Sequence, residues 1–275
     1  MNKLVVLMPV YKNKRGLLKT LESLRNEFGI ISFDVLLIDD SPETELHEID
    51  FSIFPFKSYL LVNGSNLGIT KSLNRGLSWI IERSNYTLIA RLDAGDEVIN
   101  KRLLSQVAYM DANPECVLLG GKIEYITENG KSLYIFSPPV GDLELRAKMH
   151  LNNYVSDATA MIRISAIKKI GGWSNSYPIA EGYDLAWRLA KIGKIANLSE
   201  IILRYEVSTR QVSLRKRRSQ LKSRILIQLN NFDIYCFSSY WGIMKSIIAL
   251  ILPWHFIIYA KSLVNDAFTY KGKNK

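Results

Sequence analysis

"RLDAGDEV", residues 91–98, follows the apolar run "YTLIA" at 86–90. A strand heading into a core here finishes in two carboxylates, Asp93 and Asp96, set around Gly95. Taken alone, the pair reads as a polar turn, because Asp and Gly both accept turn backbone angles readily. The neighbouring segments change that reading. Residues 4–9 are a continuous apolar run, 17–28 carry helical spacing, and 33–38 are again apolar and run into Asp39 and Asp40. Residues 59–62 suit a third strand, 69–82 an amphipathic helix, 86–92 a fourth strand and 101–110 another helix. This alternation predicts an α/β fold, a mostly parallel central sheet flanked by helices on both faces. Ligands of such sheets bind beyond the carboxyl ends of the strands. Three of the strands end in polar groups that would open on that one edge: Pro9 to Asn13, Asp39 to Pro42, and Asp93 to Asp96.

Four acidic side chains converging beside the Tyr11 ring point to a site for a metal-bound polar ligand, since clustered carboxylates mark functional sites. Carboxylates on a loop after a strand can hold a hard divalent cation, and Mg²⁺ takes only one or two of them when phosphate oxygens complete its shell. A diphosphate ligand fits. The chain has no GxxxxGK[ST], and no GxGxxG follows the first strand, so phosphate binding here would depend on metal rather than on a backbone cradle.

The 275 residues are 48% hydrophobic and 23% charged, enough for one sizeable core. Cys116 and Cys236 stand far apart without nearby Cys or His spacing, which argues against a disulfide framework or structural zinc and for a reducing, cytoplasmic setting. The apolar residues 4–10 are too short for a signal peptide and meet Lys12, Lys14 and Arg15 without a cleavage site. A net charge of +10 implies an anionic partner. Nothing beyond that charge points to nucleic acid, because no recognition motif accompanies it.

Past residue 112 the pattern loosens. Residues 117–126 suit one or two strands, Asn129-Gly130 a hairpin turn, 158–163 a strand, Gly171-Gly172-Trp173 a tight turn, and 183–192 a helix. Asn74 and Gly76 weaken the helix at 69–82 by propensity, Gly by up to ~1 kcal/mol, unless small residues serve a close approach. Trp173 and Trp187 would serve as core residues or as platforms for a sugar face; spacing with Leu185 and Leu189 favours core for Trp187.

The segments "MPVYKN", "LLIDDSPE", "NLGITKSLNRGL", "IARLDAGDEV", "LLGGKI", "KKIGGW" and "EGYDLAWRLAKIGKIANLSEIILRY" together resemble the family 2 inverting glycosyltransferases that build bacterial capsule, O-antigen or exopolysaccharide. The resemblance covers residues 1–213, taken as a catalytic domain. It implies a GT-A type fold with a Rossmann-like nucleotide-binding half, a UDP-, GDP- or dTDP-sugar donor, and Mn²⁺ or Mg²⁺ at the acidic loop. Carried over by position, Pro9 and Tyr11 border the nucleobase and Asp40 bonds the base or its ribose. Asn66 and Gly68 belong to the donor loop. Asp96 is the expected metal ligand, and Asp93 a ribose or outer metal partner, since Gly95 replaces one acid of the family's run.

The resemblance also implies a general base from an acidic pair opening the "YDLAWRL" helix, but the expected Asp is Gly182 here. Glu181 is then the first candidate and Asp184 the second, although an Asp in a first helical turn often serves capping. Gly182 keeps a second reading open, a nucleotide-sugar-binding scaffold without catalysis. Relatives often carry a His near position 208, which is Ser208 here; the histidines are His47, His150 and His255.

From residue 214 the composition turns basic, "LRKRRSQLKSR", and then apolar, "SIIALILPWHFIIYA" at 246–260. The apolar stretch is short of the ~20 residues that span a bilayer and is interrupted by Pro253. The expectation for 214–275 is a helical tail that either packs on the catalytic domain or docks on the inner face of the cytoplasmic membrane. Such docking suits a polyprenyl-linked saccharide acceptor.

Overall fold

The computed structural model describes residues 3–43, 46–83, 85–177, 179–207 and 217–252. Strands β1 (Leu4–Val10), β2 (Phe33–Asp39) and β4 (Leu88–Arg91) are buried almost throughout, which is why they read as near-continuous apolar runs. Helix α1 (Lys14–Phe28) links β1 to β2, and α2 (Ile69–Arg83) links β3 (Lys57–Val62) to β4. The Asn13 side chain starts α1 by accepting the Gly16 N–H at 3.0 Å.

These four strands pair in parallel in the order β3-β2-β1-β4. The chain winds from β1 outward to β3 on one side and returns to lay β4 on the other. The β1/β4 boundary is therefore a topological switch point, where the loops diverge and leave a crevice. Alternate β1 residues face two cores. Leu4, Val6 and Met8 join Leu17, Leu21 and Leu24 of α1, whereas Val5 and Leu7 join Leu73, Leu77 and Ile80 of α2.

Beyond β4 the sheet becomes mixed. Its order continues β8-β6-β9-β5, with β7 paired to β6, where β5 is Glu97–Val98, β6 Cys116–Ile126, β7 Ser132–Phe136, β8 Met161–Arg163 and β9 Lys194–Glu206. The β6–β7 hairpin turns at the expected Asn129-Gly130, with Gly130 at φ +77. The expected strand at 158–163 is split into a 3-10 turn, Asp157–Thr159, and the three residues of β8. Helices α3 (Arg102–Ala112), α4 (Asp142–Met149), α5 (Ile164–Lys169) and α6 (Glu181–Ala190) cover the sheet. Helix α6 starts two residues earlier than its spacing suggests, which puts Glu181 in its first turn.

Two further helices, α7 (Arg217–Asn230) and α8 (Phe237–Ile251), dock on the loop after α4. Gln228 Nε2 donates to the His150 carbonyl at 2.8 Å, and the Ser239 hydroxyl lies 2.9 Å from His150 Nδ1. The two helices thus pack on that loop through one face. Tyr235, Phe237 and Ile251 remain exposed, at 92%, 80% and 74%. The expected boundary at 213/214, Ser208, Pro253 and His255 lie outside the described residues.

Candidate active site

The acidic loop is fixed by α1. Thr20 Oγ1 accepts the Gly95 N–H at 2.9 Å and donates to the Asp96 carbonyl at 2.7 Å, while Asn13 Nδ2 donates to the Ala94 carbonyl at 2.8 Å. Asp96 N–H closes the turn on the Asp93 carbonyl at 3.2 Å. Gly95 sits at φ +116, a conformation that side chains disfavour, so the turn itself accounts for glycine where the family pattern has an acid. Strand β5 then pairs with β9, and Arg204 reaches Glu97 at 3.6 Å and Glu124 at 2.9 Å.

The two acids of the loop differ in state. Asp93 is partly exposed and ion-paired with Arg91. Asp96 is 5% exposed; burial first, and then the Asp93 charge, raise its pKa well above the usual carboxylate range. No hydrogen bond among the described residues reaches its Oδ2.

Sequence reasoning passed over the group that organises these acids. Arg91, the last residue of β4, is 2% exposed. Burial pulls its pKa down, but Asp93, Asp157 and Glu181 outweigh it and hold the guanidinium firmly charged. Beneath it Arg102, equally buried, donates to the Arg91 and Ala158 carbonyls, both at 2.9 Å, and to Gln106 Oε1 at 3.0 Å. Burial lowers its pKa to about 10. Both residues stand in the sequence as ordinary polar positions; only the apolar residues around them hint at burial.

Glu181 enters the cluster from the amino end of α6. It is 7% exposed, and its Oε2 has no partner among the described residues. Burial and then the neighbouring Asp157 push its pKa up to about 7. Asp184 faces elsewhere: its Oδ2 accepts Arg188 Nε at 2.7 Å, and Arg188 Nη1 also caps the Ile170 and Gly172 carbonyls at 3.0 and 2.8 Å. Asp184 is thereby tied to the glycine turn.

On the β1/β2 side, Asp40 is buried, and its carboxylate accepts Asn63 Nδ2 at 2.8 Å and the N–H groups of Leu67 and Gly68 at 2.7 and 2.9 Å. It shapes the loop that carries Asn66, which is exposed, and Gly68, which is partly buried at φ +85. Pro9 is partly buried, and Tyr11 is 48% exposed with the Lys12 ammonium 5.9 Å from its ring centre. Trp173 is 2% exposed and packs in the core, so it offers no face to a sugar. Trp187 packs against the same core and edge-on to His150, with ring centres 4.8 Å apart.

Comparisons with known proteins agree with this architecture. Residues 5–171 match the description of glycosyl transferase family 2, a span that contains the acidic loop and stops short of Glu181. The amylovoran biosynthesis glycosyltransferase AmsE of Erwinia amylovora is 24% identical over 232 residues, covering 80% of this chain and 82% of that protein. The O-antigen biosynthesis glycosyltransferase WbnJ of Escherichia coli is 29% identical over 138 residues, 49% of this chain and 53% of that one. Among solved structures, S. aureus TarS 1-349 in complex with UDP-GlcNAc superposes with a TM-score of 0.61 at 18% identity, covering 83% of this chain and 67% of TarS. The mannosyltransferase PcManGT of Pyrobaculum calidifontis, in complex with GDP-Man and Mn2+, gives 0.62 at 13%, covering 96% of this chain and 75% of that one. The fold is accordingly GT-A type, and the chain belongs to glycosyl transferase family 2.

Proposed function

We propose that this protein transfers a sugar, with inversion, from a nucleoside-diphosphate sugar to a lipid-linked saccharide in surface polysaccharide synthesis. The observation that carries this reading is the pair of buried carboxylate oxygens, Asp96 Oδ2 and Glu181 Oε2, which have no hydrogen-bond partner among the described residues and lie in the charge cluster around Arg91. Buried polar atoms are nearly always satisfied in folded proteins, and those that are not call for a ligand or a catalytic role. The polysaccharide context is supported by the amylovoran and O-antigen relatives, and a nucleotide-sugar donor by the ligands bound to the two solved neighbours.

The donor set suits Mn²⁺ or Mg²⁺ bound through substrate phosphates. Asp96 offers an oxygen with no hydrogen-bond partner among the described residues and Asp93 a second carboxylate, one or two being what a hard cation takes beside a diphosphate. Among the described residues no group of three or more His, Cys, Asp or Glu could hold an ion alone, which fits a cation that arrives with its nucleotide. When bound, the ion stabilises charge on the departing diphosphate. In this reading Asp40 holds the 63–68 loop at the nucleoside side, Tyr11 and Pro9 line the base, and Glu181 receives the acceptor's proton. A carboxylate with a pKa of about 7 is matched to that task at neutral pH.

The exposed apolar and aromatic face of α8 supports docking on the membrane that holds a lipid-linked acceptor. No helix among the described residues is long and apolar enough to cross a bilayer. The test is a thermal-shift panel of UDP-, GDP- and dTDP-sugars with and without Mn²⁺, because ligand binding raises the melting temperature by mass action. One donor should give a manganese-dependent shift; no shift with any donor defeats the reading.

A further inference from the structure

Helix α6 carries a glycine in its first turn, and the space that this glycine leaves is filled from another element. An ideal Cβ at Gly182 would lie 2.2 Å from Asp157 Oδ2 and 2.4 Å from its Oδ1. Asp157 opens the 3-10 turn that precedes β8, and this turn is held firmly. Arg102 Nη1 donates to the Ala158 carbonyl at 2.9 Å, Gln106 Nε2 to the Thr159 carbonyl at 2.8 Å, and the Thr159 hydroxyl to the Ser156 carbonyl at 2.9 Å. The carboxylate is therefore aimed at α6 by a rigid support. Its electrostatic neighbours are Arg91 and Asp93, and it acts in turn on Glu181. Glu181 is more than nine-tenths buried, and its Oε2 is unpartnered among the described residues. An ion cluster that served stability alone would engage that oxygen; Arg91 Nε too has no hydrogen-bond partner among the described residues.

We propose that Asp157 is a catalytic residue which, with Glu181, accepts the proton of the acceptor hydroxyl. This rests on the glycosyltransferase reading above. The acceptor oxygen bonds to the anomeric carbon, and the bond from that carbon to the diphosphate oxygen breaks, its electron pair leaving on the nucleoside diphosphate. The hydroxyl proton ends on a carboxylate oxygen of the Asp157–Glu181 pair. Gly182 is the residue that permits this, since any side chain there would displace the carboxylate.

The experiment measures nucleoside diphosphate released from UDP-GlcNAc and from GDP-mannose in the presence of Mn²⁺, with water as acceptor. Asp157→Asn, which keeps the shape, should lower kcat by about 10²–10⁴-fold and leave the donor KM unchanged. Gly182→Asp alone should lower the melting temperature through the clash. The double variant Asp157→Ala/Gly182→Asp, which returns a carboxylate to the same space from the helix, should recover kcat by about tenfold or more over Asp157→Ala. The proposal is overturned if Asp157→Asn turns over at the wild-type rate. It is also overturned if the double variant is no faster than Asp157→Ala while melting at the wild-type temperature. A wild-type chain that binds a donor without any turnover overturns it too and leaves the nucleotide-sugar reading standing. If no donor of the UDP-, GDP- and dTDP-sugar panel shifts the wild-type melting temperature with Mn²⁺, both fail together.

Discussion

Asn74 grips the main chain of Trp173 from both sides, its Nδ2 donating to the Trp173 carbonyl at 2.7 Å and its Oδ1 accepting the Trp173 N–H at 2.9 Å. Helix α2 is thereby clamped to the Gly171-Gly172-Trp173 turn, whose two glycines sit at φ +76 and +80. By propensity Asn74 is a weak point in its helix, yet it satisfies two backbone groups of the turn. Asn74→Leu should cost about 1–3 kcal/mol, the desolvation penalty of backbone groups left unpaired, measured by urea unfolding. A loss below the error of the method would show that water replaces the clamp.

The docking of α8 rests on a backbone contact. A Cβ on Gly242 would stand 1.9 Å from the His150 carbonyl oxygen, and backbone cannot move aside as a side-chain tip can. Gly242→Ala should destabilise the α7–α8 layer by about 1–3 kcal/mol, the usual cost of overpacking. The expected signature is faster amide exchange in residues 217–252 with protection of β1, β2 and β4 retained.

Glu181 gives the site a pH dependence with a defined sign. Its folded pKa is raised from 4.5 to about 7, so the unfolded chain loses this proton first as pH rises. The group contributes no penalty below about pH 4.5 and a growing one up to about pH 7. There it approaches ~3 kcal/mol by the conversion of pKa shift to free energy. Glu181→Gln should flatten the decline in stability over that window, and it should abolish the rise in turnover through neutral pH. Urea midpoints and rates taken from pH 4.5 to 8 measure both, and parallel stability curves for the two proteins would refute the assignment.

Asp96 should show opposite effects on stability and on ligand binding. A buried carboxylate with an oxygen unpartnered among the described residues is unfavourable by itself. Asp96→Asn should melt at or above the wild-type temperature, while its manganese-dependent shift with a nucleotide sugar disappears. A shift that survives in Asp96→Asn would remove Asp96 from the ion's coordination.

The β1–α1–β2 unit, α2 and the acids at the ends of β2 and β4 were legible because they depend on local periodicity and on polar residues interrupting apolar runs. The second half was less so. Strand β8 has three residues and pairs antiparallel with both β4 and β6, too short for alternation to be visible. The pairing of β6 with β9 joins residues about eighty positions apart with repeated register shifts, which no local pattern encodes. Trp173, open in the sequence to use as a sugar platform, lies in the core because α2 closes over its turn.

Within the site, sequence alone determined which acids stand at the carboxyl edge of the sheet, since β-strand ends and turn residues are written locally. It also determined that Gly182 departs from the expected pattern. Tertiary structure decided the charge state and company of each group. Arg91 and Arg102 are buried because distant carbonyls at Ala158 and the carboxylates of Asp93 and Asp157 meet them there. Asp157 reaches Gly182 across 25 residues of chain, since 182 less 157 is 25. Burial and through-space charge depend on what the folded chain brings near, and that is a property of the packed molecule rather than of any segment of it.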